Sequence, residues 1–242
     1  MKRTISLLLL LALCCGLLCS FAAAEEGNDI FIAADPEFVI APAPDFIDPV
    51  LPPVPFADVT ADDWYYGVVA AAKNRGYITG SNDLFRPNDD VSRAECITML
   101  WRVMDKPMLT PSEYVIDFYL TDVQSVADWS KNAVAWSLFH GYVTGGRDGD
   151  PMLSASMTRE QLAAVLFRVA AANGMETVML NDLLGGEDVS PYAVTAVNWA
   201  VQSGILKGSS AGLRVKDTVT RAEAAAMLVR FADYFSAISA EN

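Results

Sequence analysis

Three stretches of this chain lie over one another: "FADVTADDWYYGVVAAAKNRGYITG" from Phe56, "LTDVQSVADWSKNAVAWSLFHGYVTG" from Leu120 and "GEDVSPYAVTAVNWAVQSGILKG" from Gly186. Each runs through a loop containing Gly and Asp into "VSRAE" (91–95), "MTREQ" (157–161) or "VTRAE" (219–223), and then into a second apolar stretch. The aromatic residue and the glycine that follows it keep one spacing throughout: Trp64 to Gly76, Trp129 to Gly141, Tyr192 to Gly204. A repeat of this length constrains the fold more than any local propensity does. Each copy is one supersecondary unit that cannot bury its apolar face alone, so the copies must pack on one another.

Each unit reads as helix, short extended segment, loop, helix. In the third copy Ala193, Ala196, Val197, Ala200 and Val201 follow the helical i, i+3, i+4, i+7, i+8 pattern and give one apolar stripe. Gly76, Gly141 and Gly204 stand where a helix ends in a left-handed residue. The apolar pair after each glycine is enough for a minimal strand or turn. The expectation is an all-α domain of three tandem helix–loop–helix repeats over 56–108, 119–174 and 186–238.

Ser92, Thr158 and Thr220 are each followed three residues later by Glu95, Gln161 or Glu223, which is the capping-box pattern. Loss of such a cap costs about 0.5–2 kcal/mol, so these residues need no functional explanation. The residue between them does. Arg93, Arg159 and Arg221 occupy the first helical position, where the dipole disfavours a cation by roughly 0.3–1 kcal/mol. One reading has them reach solvent or pair with Asp58, Asp122 or Asp188. The other has each guanidinium fork meet an acidic group on a ligand, a contact worth roughly 1.5–3 kcal/mol.

With its "FxD" start, its Trp near the first helix, its G-[IVY]-[IV]-[TK]-G turn and its "TRAE" motif, the chain resembles three tandem S-layer homology (SLH) domains over about Phe56 to Phe235. The resemblance implies a three-pronged, pseudo-threefold helical assembly with the first helices as a central bundle. It also implies grooves between prongs that bind a secondary cell-wall polysaccharide, often pyruvylated. Carried over by residue, it makes Arg93, Arg159 and Arg221 the ligand arginines. Trp64, Trp129 and, less well, Tyr192 become sugar platforms, and Asp58, Asp122 and Asp188 become acceptors of sugar hydroxyls. Gly80, Gly145 and Gly208 become turns where the protein backbone can approach the ligand. Against the platforms, Trp136 and Trp199 show that aromatic residues also serve the core here. The third copy departs with "GED" and Tyr192, and the second with Glu160-Gln161, an extra carboxylate beside Arg159. The grooves should therefore be unequal.

The rest of the chain sets the context. Lys2 and Arg3, an apolar run from Leu7 to Phe21 and Ala22-Ala23-Ala24 read as a secretory signal (1–24) cleaved near Ala24. The run is too short to span a membrane. Cys14, Cys15 and Cys19 lack the small preceding residue of a lipoprotein site. Residues 25–55 hold seven of the twelve prolines and no Lys or Arg, an acidic extended linker or tail. Its apolar residues, among them Phe31, Phe38 and Phe46, leave open a protein partner, so an adaptor or surface-layer accessory role is the alternative function. With only short flanks around the repeats, the expectation is an anchor without a large effector region of its own.

Beyond the signal one cysteine remains, Cys96, which rules out an internal disulfide and reads as a buried small residue. The formal charge is −13. Removing Lys2 and Arg3 leaves 15 basic against 30 acidic residues, which argues against nucleic acid. No nucleophile–base pair and no His/Cys metal spacing is visible, so no catalysis, metal or cofactor is expected. His140 reads as a helix-end residue, and "GRDGDP" lacks the ligand ladder of a calcium loop.

Overall fold

A computed structural model describes residues 54–109, 126–144, 150–175, 177 and 188–241. All belong to the second of two units into which the chain divides, residues 43–242. The expected signal, nearly all of the linker, Asp122 and Gly145 lie outside the described residues.

Six helices are present among the described residues, two per repeat: α1 (Tyr66–Asn74), α2 (Arg93–Val103), α3 (Lys131–Phe139), α4 (Arg159–Ala172), α5 (Val194–Gln202) and α6 (Arg221–Glu241). Among the described residues between them only isolated β-bridges occur, and the fold is all-α as the repeat pattern predicts. Gly76, Gly141 and Gly204 end α1, α3 and α5 at φ of +75°, +68° and +69°. A side chain would be strained at those angles. The capping boxes of Ser92 and Thr158 are complete in both directions. Thr220 and Glu223 exchange the same two bonds, at 3.3 and 3.1 Å. By contrast α1, α3 and α5 start without any side-chain cap, so packing must hold them.

That packing is cyclic. Helix α3 lies on α2, α5 on α4 and α1 on α6, so the first helix of each copy rests on the second helix of the copy before it. Helix α6 also meets α2 and α4. The second helices therefore hold the centre, which corrects the expectation of a bundle of first helices. Burial agrees at α4 and α6, where Leu162 to Leu166 and Ala224 to Val229 are buried without interruption, and at α1, where only Val69, Ala70 and Ala72 are. Helix α5 is the exception, buried from Ala196 to Ala200, so the contacts of α6 with α2 and α4 decide the centre.

A closed ring of backbone hydrogen bonds marks the pseudo-threefold axis. The Val91 amide donates to the Val219 carbonyl (3.0 Å), Val219 to Met157 (2.8 Å) and Met157 back to Val91 (3.0 Å). All three side chains are wholly buried. Just beyond the ring, the first two amides of each capped helix donate to the loop of the next copy. Arg93 and Ala94 reach Ala155 and Leu153, Arg159 and Glu160 reach Asp217 and Val215, and Arg221 and Ala222 reach Asp89 and Pro87. With the third amide on its cap, these helix starts have no free donor to offer an anion.

Candidate functional site

The three arginines all point into the next copy. Their Nε atoms donate to equivalent carbonyls, Arg93 to Pro151, Arg159 to Leu213 and Arg221 to Phe85, each at 2.8 Å. Their Nη2 atoms reach Thr144 (3.4 Å), Lys207 (2.6 Å) and Thr79 (3.2 Å). Arg159 Nη1 then donates to Glu223 (3.1 Å) and Arg221 Nη1 to Glu95 (2.8 Å), the capping-box glutamates of the following copy. Arg221 also lies over the Phe85 ring. Three bonds at Arg159 and at Arg221, and two at Arg93, outweigh the small dipole cost at a helix start. Arg159 and Arg221 are only 5% and 7% exposed, whereas Arg93 is half-buried. Burial lowers the pKa of all three, opposed at Arg159 and Arg221 by the facing glutamate.

A second arginine set escaped the sequence reading although it is written there. Nine residues after each motif arginine stands another: Arg102, Arg168 and Arg230. Their Nη1 atoms donate to the carbonyls of Tyr77 (3.4 Å), Tyr142 (3.0 Å) and Ile205 (3.3 Å), one residue past each helix-ending glycine. All three are half-buried. Arg86 and Arg214 form a third, incomplete set, with Met152 at the middle position. All three take the left-handed backbone, at φ of 59°, 50° and 49°. In the first copy that turn is held by Asp58, whose carboxylate accepts the amides of Phe85 (2.8 Å) and Arg86 (2.7 Å).

These sets meet in a groove of about 150 Å³ walled by all three copies. Gly80, Arg86, Glu95 and Arg102 come from the first copy, Trp129 from the second and Arg221 from the third. Three arginines face one carboxylate there, in a chain whose overall charge is −13. Such a concavity attracts anions locally against the field of the whole molecule. Trp64, Trp129 and Tyr192 are 64%, 55% and 56% exposed, while Trp136 and Trp199 are buried. The aromatic residue at the head of each copy is thus surface, and in the second and third copies the one seven residues on is core.

Gly80 has a packing reason for lacking a side chain, because a Cβ there would meet the Phe56 ring at 2.4 Å and the Leu84 carbonyl at 2.6 Å. At Gly208 the Gly212 carbonyl would lie at 3.0 Å. Asp188 is exposed. Glu160 does not crowd Arg159 as the sequence suggested; it turns to the third copy instead. There it accepts the Ser190 amide (3.0 Å), the Ser190 hydroxyl (2.7 Å) and the Tyr192 hydroxyl (3.1 Å), with Lys216 Nζ at 3.4 Å. Burial would raise its pKa, but these donors hold it below the ordinary value. Tyr192 is pushed up to about 12 by burial and by Glu160.

His140 caps the C-terminal end of α3, its ring stacked on Tyr142. Cys96 is wholly buried and its thiol pKa is raised by that burial. Among the described residues no group of three His, Cys, Asp or Glu comes together as a metal site. No helix among them is long and apolar enough to cross a membrane.

Residues 55–96 and 187–225 match the family model of the S-layer homology domain. The chain carries S-layer homology domains. These are cell-wall anchoring modules, and the middle copy, outside the two matched regions, has the same two helices, capping box and arginine clasp. The chain is 29% identical over 119 residues to an amylopullulanase of Thermoanaerobacterium thermosulfurigenes, covering 49% of this chain and 6% of that protein. It is 31% identical over 119 residues to the surface-layer 125 kDa protein of Lysinibacillus sphaericus, covering 48% and 10%. With an S-layer protein of Bacillus thuringiensis subsp. finitimus it shares 25% over 182 residues, covering 72% and 21%. The aligned part is thus at most about a fifth of these relatives, which include both an enzyme and surface-layer proteins. The shared part places this chain among cell-surface proteins.

Proposed function

We propose that the chain is a non-enzymatic, non-covalent anchor that binds an acidic secondary cell-wall polysaccharide, of the pyruvylated kind, in the grooves between its S-layer homology repeats. The observation that carries this reading is the groove where Arg86, Arg102 and Arg221 stand around Glu95 beside the exposed Trp129. It pairs a cationic floor for an acid group with a flat apolar face for a sugar ring. Within it, Arg102 and Arg86 are the arginines that meet the ligand, and the buried Arg221 sets the floor. Asp58 acts by holding the Arg86 turn. Export follows from the signal read at residues 1–24.

The experiment is co-sedimentation with purified cell walls. The protein should pellet with intact walls and stay in solution with walls stripped of their non-peptidoglycan polymer. Trp129→Ala and Arg102→Ala should each weaken binding by about tenfold while the melting temperature stays close to that of the parent. Undiminished binding to stripped walls, or by both variants, would remove the basis of the reading.

A further inference from the structure

The loop from Thr79 to Arg86 forms one wall of the groove with Arg102, and both of its ends hold Arg221. The Thr79 carbonyl takes Nη2 at 3.2 Å and the Phe85 carbonyl takes Nε at 2.8 Å. The loop is strained. Asn82, Asp83 and Arg86 have φ of 53°, 60° and 59°, and Ser81 and Leu84 close the turn with two backbone hydrogen bonds. Asn and Asp tolerate the left-handed region better than most residues, yet three such positions in one short loop persist only where the surroundings hold them. The equivalent turn of the third copy is closed by the same two bonds, between Ser209 and Gly212, and uses a glycine at φ of +84°.

What holds the first loop is a strap of successive residues at the head of the copy. Phe56 is buried, its ring filling the space that a side chain at Gly80 would need and stacked on Phe85 at 5.6 Å with 27° between the planes. The Ala57 amide donates to the Asp83 carbonyl at 2.9 Å. The Asp58 carboxylate accepts the amides of Phe85 and Arg86. The strap thus grips the loop near its start, at its middle and at its end. The ring pair also reaches Arg221. Lys73 Nζ lies 5.5 Å from the centroid of the Phe56 ring and Arg221 Cζ 5.2 Å from that of Phe85, so two rings stand between two cations. The other copies cannot build this column, because they have Leu120 and Gly186 in place of Phe56, and Pro151 and Leu213 in place of Phe85.

We propose that the strap Phe56–Ala57–Asp58 is the positioning element of this groove, and that a docked strap and a polysaccharide in the groove stabilise one another. The inference rests on the anchoring function proposed above and deepens it. None of the three strap residues lines the groove. They act through Gly80, Phe85 and Arg86, holding a strained loop in the one shape that fixes Arg221 and presents the wall to a sugar. A loop ordered in advance binds without first being ordered by the ligand. The coupling is reciprocal, since whatever the strap does for the affinity of the groove, the ligand does for the docking of the strap. A ring that only filled the core would leave affinity to follow global stability.

The test uses the whole protein and size-fractionated fragments of purified wall polysaccharide. Amide hydrogen exchange is followed by NMR with and without the fragments, and binding is read from the indole signal of Trp129, which lines this groove. Saturating fragments should slow the Ala57, Phe85 and Arg86 amides at least about fivefold, with no like change at the Ser203 amide that closes α5. Phe56→Leu, which introduces the residue found at position 120 of the second copy, should weaken binding at least about tenfold. Val197→Ala truncates a buried side chain of α5, outside this groove. It should lower the melting temperature at least as far as Phe56→Leu does, yet weaken binding less than about twofold. Parental affinity in Phe56→Leu, an equal loss in Val197→Ala, or strap exchange that is unchanged or slowed equally at Ser203 would overturn the proposal. The exchange measurement needs no variant, so it decides even where Phe56→Leu fails to fold. If such a result came with fragment binding by the parent intact, the anchoring function would stand and only the role of the strap would fall. A parent protein that binds no fragment would remove both.

Discussion

Arg159 shows why a cation stands in the first turn of a helix. It is 5% exposed and fastened to two carbonyls and Glu223 of the next copy, so it clasps two repeats together. Arg221 does the same across the seam between third and first copies. Removing either takes one cationic partner from a half-buried glutamate and leaves two carbonyls without their donor, a loss of about 2 kcal/mol or more. Arg93→Ala, with no in-chain carboxylate to strand among the described residues, should cost only about 1 kcal/mol. Denaturant unfolding of Arg159→Ala, Arg221→Ala and Arg93→Ala measures the ordering, and equal losses for all three would contradict it. A wall-binding assay on a triple arginine variant would therefore confound folding with recognition. The sequence displays the unusual position of these arginines but hides their partners, because each partner lies in a different copy. Arg102, Arg168 and Arg230 were readable by alignment, but an arginine late in a helix suits the dipole and raises no question.

The helices divide by how they begin. Those that start with Ser or Thr and a glutamate or glutamine were legible from four residues, and the structure places them at the centre. Those that start at Tyr66, Lys131 and Val194 carry no cap and are defined by the helix they lie on. Which set was central was not legible, since both have apolar stripes and only the contacts of α6 with α2 and α4, made between copies, separate them. The junction between α4 and the head of the third copy rests on Glu160, whose pKa is lowered by Ser190, Tyr192 and Lys216. A lowered carboxylate contributes stability that is present above its unfolded value, about 4.5, and is lost as pH falls through the lowered folded value. Melting temperature should therefore drop on acidification below about pH 4.5, and Glu160→Gln should be less stable at neutral pH with a shallower acid limb. Parallel pH profiles for parent and variant would show that the cluster adds no such term.

At the scale of the molecule, the repeat made the threefold architecture legible, but the way the copies interlock depends on contacts no single copy contains. Every first helix lies on another copy's second helix, and every motif arginine is held by another copy's loop. The Val91–Met157–Val219 ring closes only with three members. The groove with Arg102 draws its wall from all three copies. Anchoring is thus a property of the closed set, within which the middle copy differs from the others at Met152, Glu160 and Gln161. The most direct measurement is the affinity for purified wall polysaccharide of the whole protein and of a chain ended at residue 185, each with its thermal unfolding curve. The account predicts one cooperative transition and binding for the whole protein. It predicts neither for the shortened chain, which lacks α6 for α1 to lie on and Glu223 for Arg159. A shortened chain that unfolds cooperatively and binds the polymer with undiminished affinity would contradict it.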